Sequence, residues 1–305
     1  MKIGLIMKFC ILIKMTSAFA LRRKVAIVTG GTRGIGFGIS EALAKKQYDL
    51  LLSYNSDYDS AMDSSKYLEN KYKCRVELFS GDITLKSTRK NLFKRYDLAY
   101  KNSHNLGVVV HNAGQYIGIT SGNSNGLTDP IKNLAFGDGS LFDPNNGEID
   151  MRVMRFYQKM YGDAYIDICE RAISRMKKGG SLIGISSPGC TTQYNPSPGY
   201  DMPGSGKCIM EYAMRLFALR CAPIDINCNI VIPGFTKTEA WDRVGNLRGT
   251  TGNDIVEKMA EKYSPNGLSM SPDQVGEGVA LLCSPEGRHI TGVSLPIDNG
   301  VHLNL

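Results

Sequence analysis

A glycine-rich turn between an apolar run and a helix-like stretch is the feature that most limits what this chain can fold into. The turn reads Thr29-Gly30-Gly31-Thr32-Arg33-Gly34-Ile35-Gly36 and directly follows the apolar run 25–28. Glycines placed where a buried strand passes into a helix let backbone N–H groups approach a phosphate at the helix N-terminus. The order strand, turn, helix therefore predicts a phosphate-binding βα unit.

Short apolar runs alternate with longer stretches of helical periodicity along the rest of the chain. The predicted strands are 25–29, 49–54, 75–80, 106–111, 181–186, 226–232 and 293–298, and the predicted helices are 34–46, 60–71, 85–101, 151–178, 206–221, 238–262 and 272–282. Near-continuous hydrophobicity in the strands indicates a sheet covered on both faces. The alternation predicts a single-domain α/β fold, a doubly wound parallel sheet of about seven strands with helices on both faces.

Length and charge favour one domain without a nucleic-acid or membrane surface. The 305 residues contain no linker, so we predict a leader at 1–23 and one domain at 24–305. The formal net charge is +7, and five of these positive charges belong to the leader, which leaves +2 for the domain. The eight cysteines include no Cys-x-x-Cys pair, which indicates a reducing compartment and no metal site.

The leader permits two interpretations. Lys8 and Lys14 interrupt its apolar runs, so it is too short for the roughly 20 apolar residues of a membrane span. The small-residue segment 16–20 resembles the cleavage site of a poor secretory signal or of a plastid pre-sequence, and a plastid pre-sequence implies a location in the plastid stroma. Alternatively, Met15 is the true start and the protein is cytoplasmic.

Further landmarks follow the predicted strands in order. Asp82-Ile83 follows the third strand, Asn112-Ala113-Gly114 the fourth, Ser186-Ser187 the fifth and Pro233-Gly234 the sixth. Together with the glycine turn, they resemble the short-chain dehydrogenase/reductase superfamily over nearly all of 24–303. The resemblance implies a Rossmann-like nucleotide-binding fold, a small-molecule substrate, oxidoreductase activity, and a homodimer or homotetramer.

The same resemblance implies a cofactor site. Its residues would be Gly30, Thr32, Arg33, Gly34, Ile35, Gly36, Tyr54, Asn55, Ser56, Asp82, Ile83, Asn112, Ala113, Gly114, Lys207, Pro233, Gly234, Thr236 and Thr238. The turn glycines would admit the pyrophosphate, Asp82 would hold the adenine edge, and 233–238 would touch the nicotinamide carboxamide. As alternatives, Asp82 is a helix N-cap and Asn112 a turn residue.

Charge at the end of the second strand favours NADP(H) over NAD(H). NAD-binding sites place an acid there to accept the ribose 2′-hydroxyl, and that acid repels a 2′-phosphate. Here the position reads Ser53-Tyr54-Asn55-Ser56, without an acid, while Arg33 in the glycine turn can pair with the phosphate. Asp57 follows closely, so its access to the ribose stays open.

The catalytic segment departs from the majority pattern of the family, in which lysine follows tyrosine by four residues. Ser187 precedes Tyr200 by thirteen residues, but the next lysine is Lys207, giving Tyr-x6-Lys, which resembles the enoyl-acyl carrier protein reductases. The resemblance implies that Tyr200 donates the proton, Lys207 lowers its pKa and binds the nicotinamide ribose, and Ser187 orients the substrate oxygen. Two turns of continuous helix would align Tyr200 with Lys207. We expect instead that Pro203 lies in the first helical turn, with Tyr200 just before it.

Several alternatives accompany this interpretation. Tyr194 is a second candidate proton donor, and His111 is expected to pack beside the cofactor loop. Met160 stands where the family has a relay asparagine. The polar stretch 122–147 is a candidate roof of the substrate pocket, and 236–268, with Trp241, a candidate lid. The predicted reaction is hydride transfer to a carbonyl or activated C=C bond. The alternative is a catalytically silent NADP(H)-binding member that acts as a redox sensor or scaffold.

Overall fold

A computed structural model describes residues 23–100, 105–115, 147, 151–190, 194–195, 201–247 and 249–304. Residues 1–22 of the predicted leader and all of the candidate roof except Gly147 lie outside these ranges. Within them, no helix combines the length and apolarity needed to cross a bilayer.

Seven parallel strands form a sheet in the order β3-β2-β1-β4-β5-β6-β7. The strands are β1 (Val25–Thr29), β2 (Asp49–Tyr54), β3 (Val76–Ser80), β4 (Leu106–His111), β5 (Met176–Ile185), β6 (Asn227–Pro233) and β7 (Ser294–Ile297). The chain reverses its direction of progress between β1 and β4. In open α/β sheets, ligands bind in the crevice that this reversal leaves at the carboxyl ends of the strands. The predicted fold class is confirmed.

Nine α-helices and a π-helical segment of the described chain cover the sheet. They are α1 (Gly34–Lys45), α2 (Tyr58–Tyr72), α3 (Lys86–Ala99), α4 (Arg152–Tyr157), the π-helical segment (Gln158–Asp163), α5 (Ala164–Ile173), α6 (Asp201–Cys221), α7 (Ala240–Leu247), α8 (Gly252–Tyr263) and α9 (Pro272–Leu282). Alternate strand residues enter two separate cores: Ala26 and Val28 pack beneath α1 and α9, while Ile27 packs on the α5 and α6 side. Both faces of the sheet are therefore buried.

Two predicted helices are wrong in extent. The helix predicted at 151–178 contains the π-helical segment and ends at Ile173, because Met176 already pairs with Leu106 of β4 and Gly179 takes a φ of 88°. The helix predicted at 238–262 divides into α7 and α8. Gly249 has a φ of 68° there, and Thr251 caps α8 by accepting a hydrogen bond from the Asp254 backbone N–H.

Helices α1 and α9 cross with their backbones almost in contact, at two glycines. A Cβ added to Gly38 would lie 2.2 Å from the Pro272 carbonyl oxygen, and one added to Gly276 would lie 2.2 Å from the Gly38 carbonyl oxygen. Real Cβ atoms do not approach an oxygen so closely, and backbone atoms cannot rotate away as a side chain can. This crossing holds α1, and with it the glycine turn, against the sheet.

Gly38→Ala is therefore expected to lower the free energy of unfolding by about 1–3 kcal/mol, the usual cost of overpacking. Gly204→Ala is the matched control, because its added Cβ would meet only the Cys190 Sγ, at 3.6 Å. Alanine is also the better helix former, so the control is expected to be neutral or stabilising. Urea unfolding followed by circular dichroism measures both variants. Equal stability of Gly38→Ala and wild type would contradict the close crossing.

Candidate active site

The glycine turn is shaped by contacts that leave no room for side chains. Gly30 has a φ of 62°, and a Cβ at Gly36 would lie 1.9 Å from the Gly30 carbonyl oxygen. In the described structure no side chain caps the N-terminus of α1, whose N-cap residue is Arg33. The first backbone N–H groups of an α-helix have no acceptor within the helix. The turn thus presents donors to any anion that enters.

A buried network joins the turn to β4. The Asn112 amide Nδ2 donates to the Gly30 carbonyl at 3.0 Å, and the Thr29 Oγ1 accepts from the backbone N–H groups of Asn112 and Ala113, both at 3.0 Å. Because the Thr29 oxygen already accepts these two bonds, its hydroxyl donates to His111 Nδ1, 3.0 Å away. The other ring nitrogen, His111 Nε2, donates to the Met160 carbonyl at 3.0 Å and therefore carries the ring proton. Burial lowers the pKa of His111 to about 4. His111 is a neutral structural link that packs beside the glycine turn.

A cavity of about 340 Å³ lies at the carboxyl ends of β1 to β4. Its lining includes the following predicted cofactor residues: Gly30, Thr32, Arg33, Gly34, Ile35, Gly36, Tyr54, Asn55, Ser56, Asp82, Ile83, Asn112, Ala113, Gly114 and Thr238. Further lining residues were not among the predicted cofactor residues, although Ser53, Asp57 and Met160 were noted in the sequence: Ser53, Asp57, Gly81, Gln115, Phe156, Met160, Glu239 and Ala240. The predicted Lys207, Pro233, Gly234 and Thr236 lie outside the lining. Gln115 Nε2 is buried without a hydrogen-bond partner in the described structure, so the wall offers an unused donor.

The two acids that the sequence left open are already engaged. Asp57 is the N-cap of α2, where Oδ1 accepts from the Ser60 backbone N–H at 3.1 Å and Oδ2 from the Ser60 hydroxyl at 2.8 Å. These bonds, with a contribution from Arg33, lower the pKa of Asp57. Asp82 accepts from the N–H and hydroxyl of Thr84, both at 2.8 Å. Because the N-cap of α3 is Leu85, the N-cap interpretation of Asp82 is wrong.

Ser187 and Lys207, predicted to act together, are in contact. The Lys207 Nζ donates to the Ser187 Oγ at 2.5 Å and lies 4.8 Å from the centroid of the Tyr161 ring, and Lys207 is only 6% exposed. Tyr200 lies outside the described residues. Helix α6 begins at Asp201, so Pro203 occupies its first turn, as expected.

Glycines explain how α6 brings Lys207 to this place. A Cβ on Gly206 would lie 2.2 Å from the Tyr157 carbonyl oxygen, and one on Gly162 would lie 2.7 Å from the Ile209 Cγ2. Helix α6 therefore packs directly against α4 and the π-helical segment. Gly206, the residue before Lys207, therefore has a packing role, which the spacing alone did not reveal.

Tyr194, the second candidate proton donor, is held elsewhere. Its hydroxyl donates to the Asp298 Oδ2 at 2.7 Å. Burial, together with this carboxylate, raises the pKa of Tyr194 well above its ordinary value. A phenol bound to a buried carboxylate is a poor proton donor to a substrate.

Glu211 is a buried residue beside the site that the sequence analysis did not single out. Both its carboxylate oxygens accept hydroxyl hydrogen bonds, one from Ser186 and one from Ser294 at 2.7 Å. Its position four residues after Lys207 places it on the same helix face, which was a usable signal.

Comparisons with known proteins agree with this architecture. Residues 24–131 match the profile of the short chain dehydrogenase family, and 132–302 match that of the enoyl-(acyl carrier protein) reductase family. The hydroxynaphthalene reductase-like protein Arp2 of Metarhizium brunneum is 25% identical over 92% of this chain and 96% of its own.

Two solved structures share the fold. A short chain dehydrogenase from Burkholderia cenocepacia, in complex with NADP, aligns with a TM-score of 0.71 at 22% identity, over 91% of this chain and 97% of its own. The L-sorbose reductase of Gluconobacter frateurii, complexed with NADPH and L-sorbose, gives a TM-score of 0.75 at 18% identity, over 93% and 98%. With the two profile matches spanning 24–302, the chain belongs to the short-chain dehydrogenase/reductase superfamily.

Proposed function

We propose that this protein is an NADP(H)-dependent oxidoreductase that transfers hydride to a carbonyl or an activated C=C bond of a small molecule. The contact between Lys207 Nζ and Ser187 Oγ carries the proposal, because it joins two of the three predicted catalytic groups.

The chain fits a dinucleotide in two respects. Backbone donors of the glycine turn suit the pyrophosphate, and Gln115 Nε2 offers an unused donor in the cavity wall. Two fold relatives were solved with NADP or NADPH. The exposed Arg33 at the cavity wall supports NADP(H), because its guanidinium can pair with a 2′-phosphate.

Reduction of a carbonyl needs a hydride, which bound NADPH supplies, and a proton, which the protein must supply. In this proposal Tyr200 donates that proton to the substrate oxygen, and the Ser187 hydroxyl orients the same oxygen. The Lys207 ammonium favours the phenolate that Tyr200 leaves behind. Tyr200 directly precedes Asp201, the first residue of α6, so its phenol would approach the site from the loop before that helix.

The proposed substrates are 3-oxoacyl- or enoyl-thioester-like compounds or other ketones and enones. The carboxyl-terminal match to the enoyl-(acyl carrier protein) reductase profile supports this class. Thr238, Glu239 and Ala240 line the cavity at the start of the candidate lid. A lid at this place would exclude water from the hydride-transfer step.

We also propose that the protein is a homodimer or homotetramer. Helix α6 exposes an apolar stripe whose members recur every three or four residues, namely Ile209, Tyr212, Leu216 and Leu219. Two copies of such a stripe can pack against each other about a two-fold axis. Light scattering of the purified protein tests this assembly.

The test of the proposed activity is NADPH oxidation, followed at 340 nm, with a ketone, an enone and an enoyl thioester as probes. Turnover with at least one probe supports the proposal. NADPH binding without turnover of any probe, and no effect of Tyr200→Phe, would favour the silent redox sensor or scaffold.

Arg33→Ala is expected to weaken NADPH binding by about 10- to 100-fold, the loss expected for one charge-assisted contact. NADH lacks the 2′-phosphate and is the matched control ligand, so its dissociation constant is expected to stay within about twofold. Protein fluorescence titration measures both constants. Equal losses for NADPH and NADH would show that Arg33 does not contact the phosphate.

Tyr200→Phe is expected to lower kcat by at least about 100-fold, because removal of a general acid forfeits its rate contribution. Tyr194→Phe is the matched control and is expected to cost less than about fivefold, since Asp298 already holds that hydroxyl. NADPH binding should survive in both variants. A larger loss for Tyr194→Phe would transfer the proton-donor role to Tyr194.

A further inference from the structure

Helix α6 and the end of β5 are joined at two consecutive points. Lys207 contacts Ser187, and Glu211, one helical turn later, contacts Ser186. The lysine and the glutamate lie on the same face of α6 because four residues make about one turn. Each binds one of two neighbouring serines, so the position of either serine constrains the other.

Glu211 also connects β5 to the edge of the sheet. Its second carboxylate oxygen accepts from Ser294, the first residue of β7, at 2.7 Å. The backbone N–H of Ser186 donates to the Val231 carbonyl of β6 at 2.8 Å. The carboxylate therefore spans β6 and holds Ser186 from a fixed point on the sheet.

A carboxylate in this position is costly, and its partners only partly offset the cost. Glu211 is 5% exposed and Ser186 is 2% exposed. Burial raises the pKa of Glu211, while the hydrogen bonds from Ser186 and Ser294 and the charge of Lys207 oppose that rise. Burying a carboxylate away from water is unfavourable before such contacts are counted. An apolar side chain would join the helix to the sheet without that cost but would leave the Ser186 hydroxyl without this acceptor.

We propose that Glu211 is a positioning residue, which holds Ser186 so that the adjacent Ser187 hydroxyl stays against the Lys207 ammonium. This role rests on the proposed function, in which Ser187 and Lys207 act on the substrate and on Tyr200. Glu211 itself touches neither substrate nor cofactor in this arrangement. It acts through the Ser186-Ser187 pair.

The two hydroxyl partners of Glu211 provide a matched comparison. Ser186→Ala removes the hydrogen bond to Glu211 that lies next to Ser187, and Ser294→Ala removes the hydrogen bond that joins Glu211 to β7. Ser186→Ala is expected to lower kcat about tenfold, the loss expected for a hydrogen bond to a charged group, with KM for NADPH within about twofold. Ser294→Ala is expected to leave kcat within about twofold. If Glu211 only stabilised the fold, the two variants would have the same kcat and the same melting temperature, and that result would overturn the proposal.

A second measurement does not depend on turnover. Reductive methylation with formaldehyde and a borohydride reagent, followed by mass spectrometry, reports how readily the Lys207 amine reacts. Ser186→Ala is expected to raise that rate at least about fivefold, and Ser294→Ala less than about twofold, because only the first releases Ser187 from its place. An unchanged Lys207 rate in Ser186→Ala would overturn the positioning role. If the methylation rates are as expected but the wild-type protein oxidises no NADPH with any probe, the proposed activity is overturned and the positioning role stands.

Substitution of Glu211 separates the hydrogen bond from mere packing. Glu211→Gln keeps an oxygen that can accept from Ser186 and is expected to retain at least about a third of wild-type kcat. Glu211→Met fills a similar volume without an acceptor and is expected to match Ser186→Ala. If Glu211→Met fails to fold, the two serine variants still decide the question. Equal kcat in folded Glu211→Met and wild type would contradict the proposal.

Discussion

The Thr29 hydroxyl is the interaction on which the arrangement of the site depends. It accepts two backbone N–H groups from the end of β4 and donates to His111, whose other nitrogen reaches the π-helical segment. One oxygen atom thereby fixes the ends of the two strands, β1 and β4, between which the crevice opens. All of these groups are buried or half-buried, so an unmade bond here would leave a polar group without compensation.

The sequence was a good guide where structure is local. β1, β2 and β4 occupy the predicted residues, and α9 begins and ends as predicted, because apolar runs and an N-terminal Ser-Pro signal specify them. The failures involve contacts between distant residues. Met176 continues a helical pattern in the sequence, yet it pairs with Leu106, seventy residues earlier in the chain. No periodicity within 151–178 carries that information.

The residues of the site also divide into those that the local sequence predicts and those that depend on contacts between distant parts of the chain. The glycine turn and the residues after β2, β3 and β4 were predicted as neighbours, because parallel strands bring their carboxyl ends to one edge. The cation–ring contact of Lys207 with Tyr161 was not predicted, since it depends on the close packing of α6 against the π-helical segment. Glu211 was missed for a different reason. Its spacing from Lys207 was visible, but only the fold shows that Ser186 and Ser294 converge on its carboxylate.

The π-helical segment between α4 and α5 sets an angular relation within the site. A π-helix closes its hydrogen bonds over one more residue than an α-helix does, so it acts as a single-residue insertion in a continuous helix. Each residue of an α-helix turns the chain by about 100°. If the same residues 158–163 formed an α-helix instead, everything before them would turn by about 100° around the helix axis, and Phe156, which now lines the cavity, would face a different neighbour. The shape of the pocket is thus set by the hydrogen-bond pattern of this helix as well as by the side chains that line it.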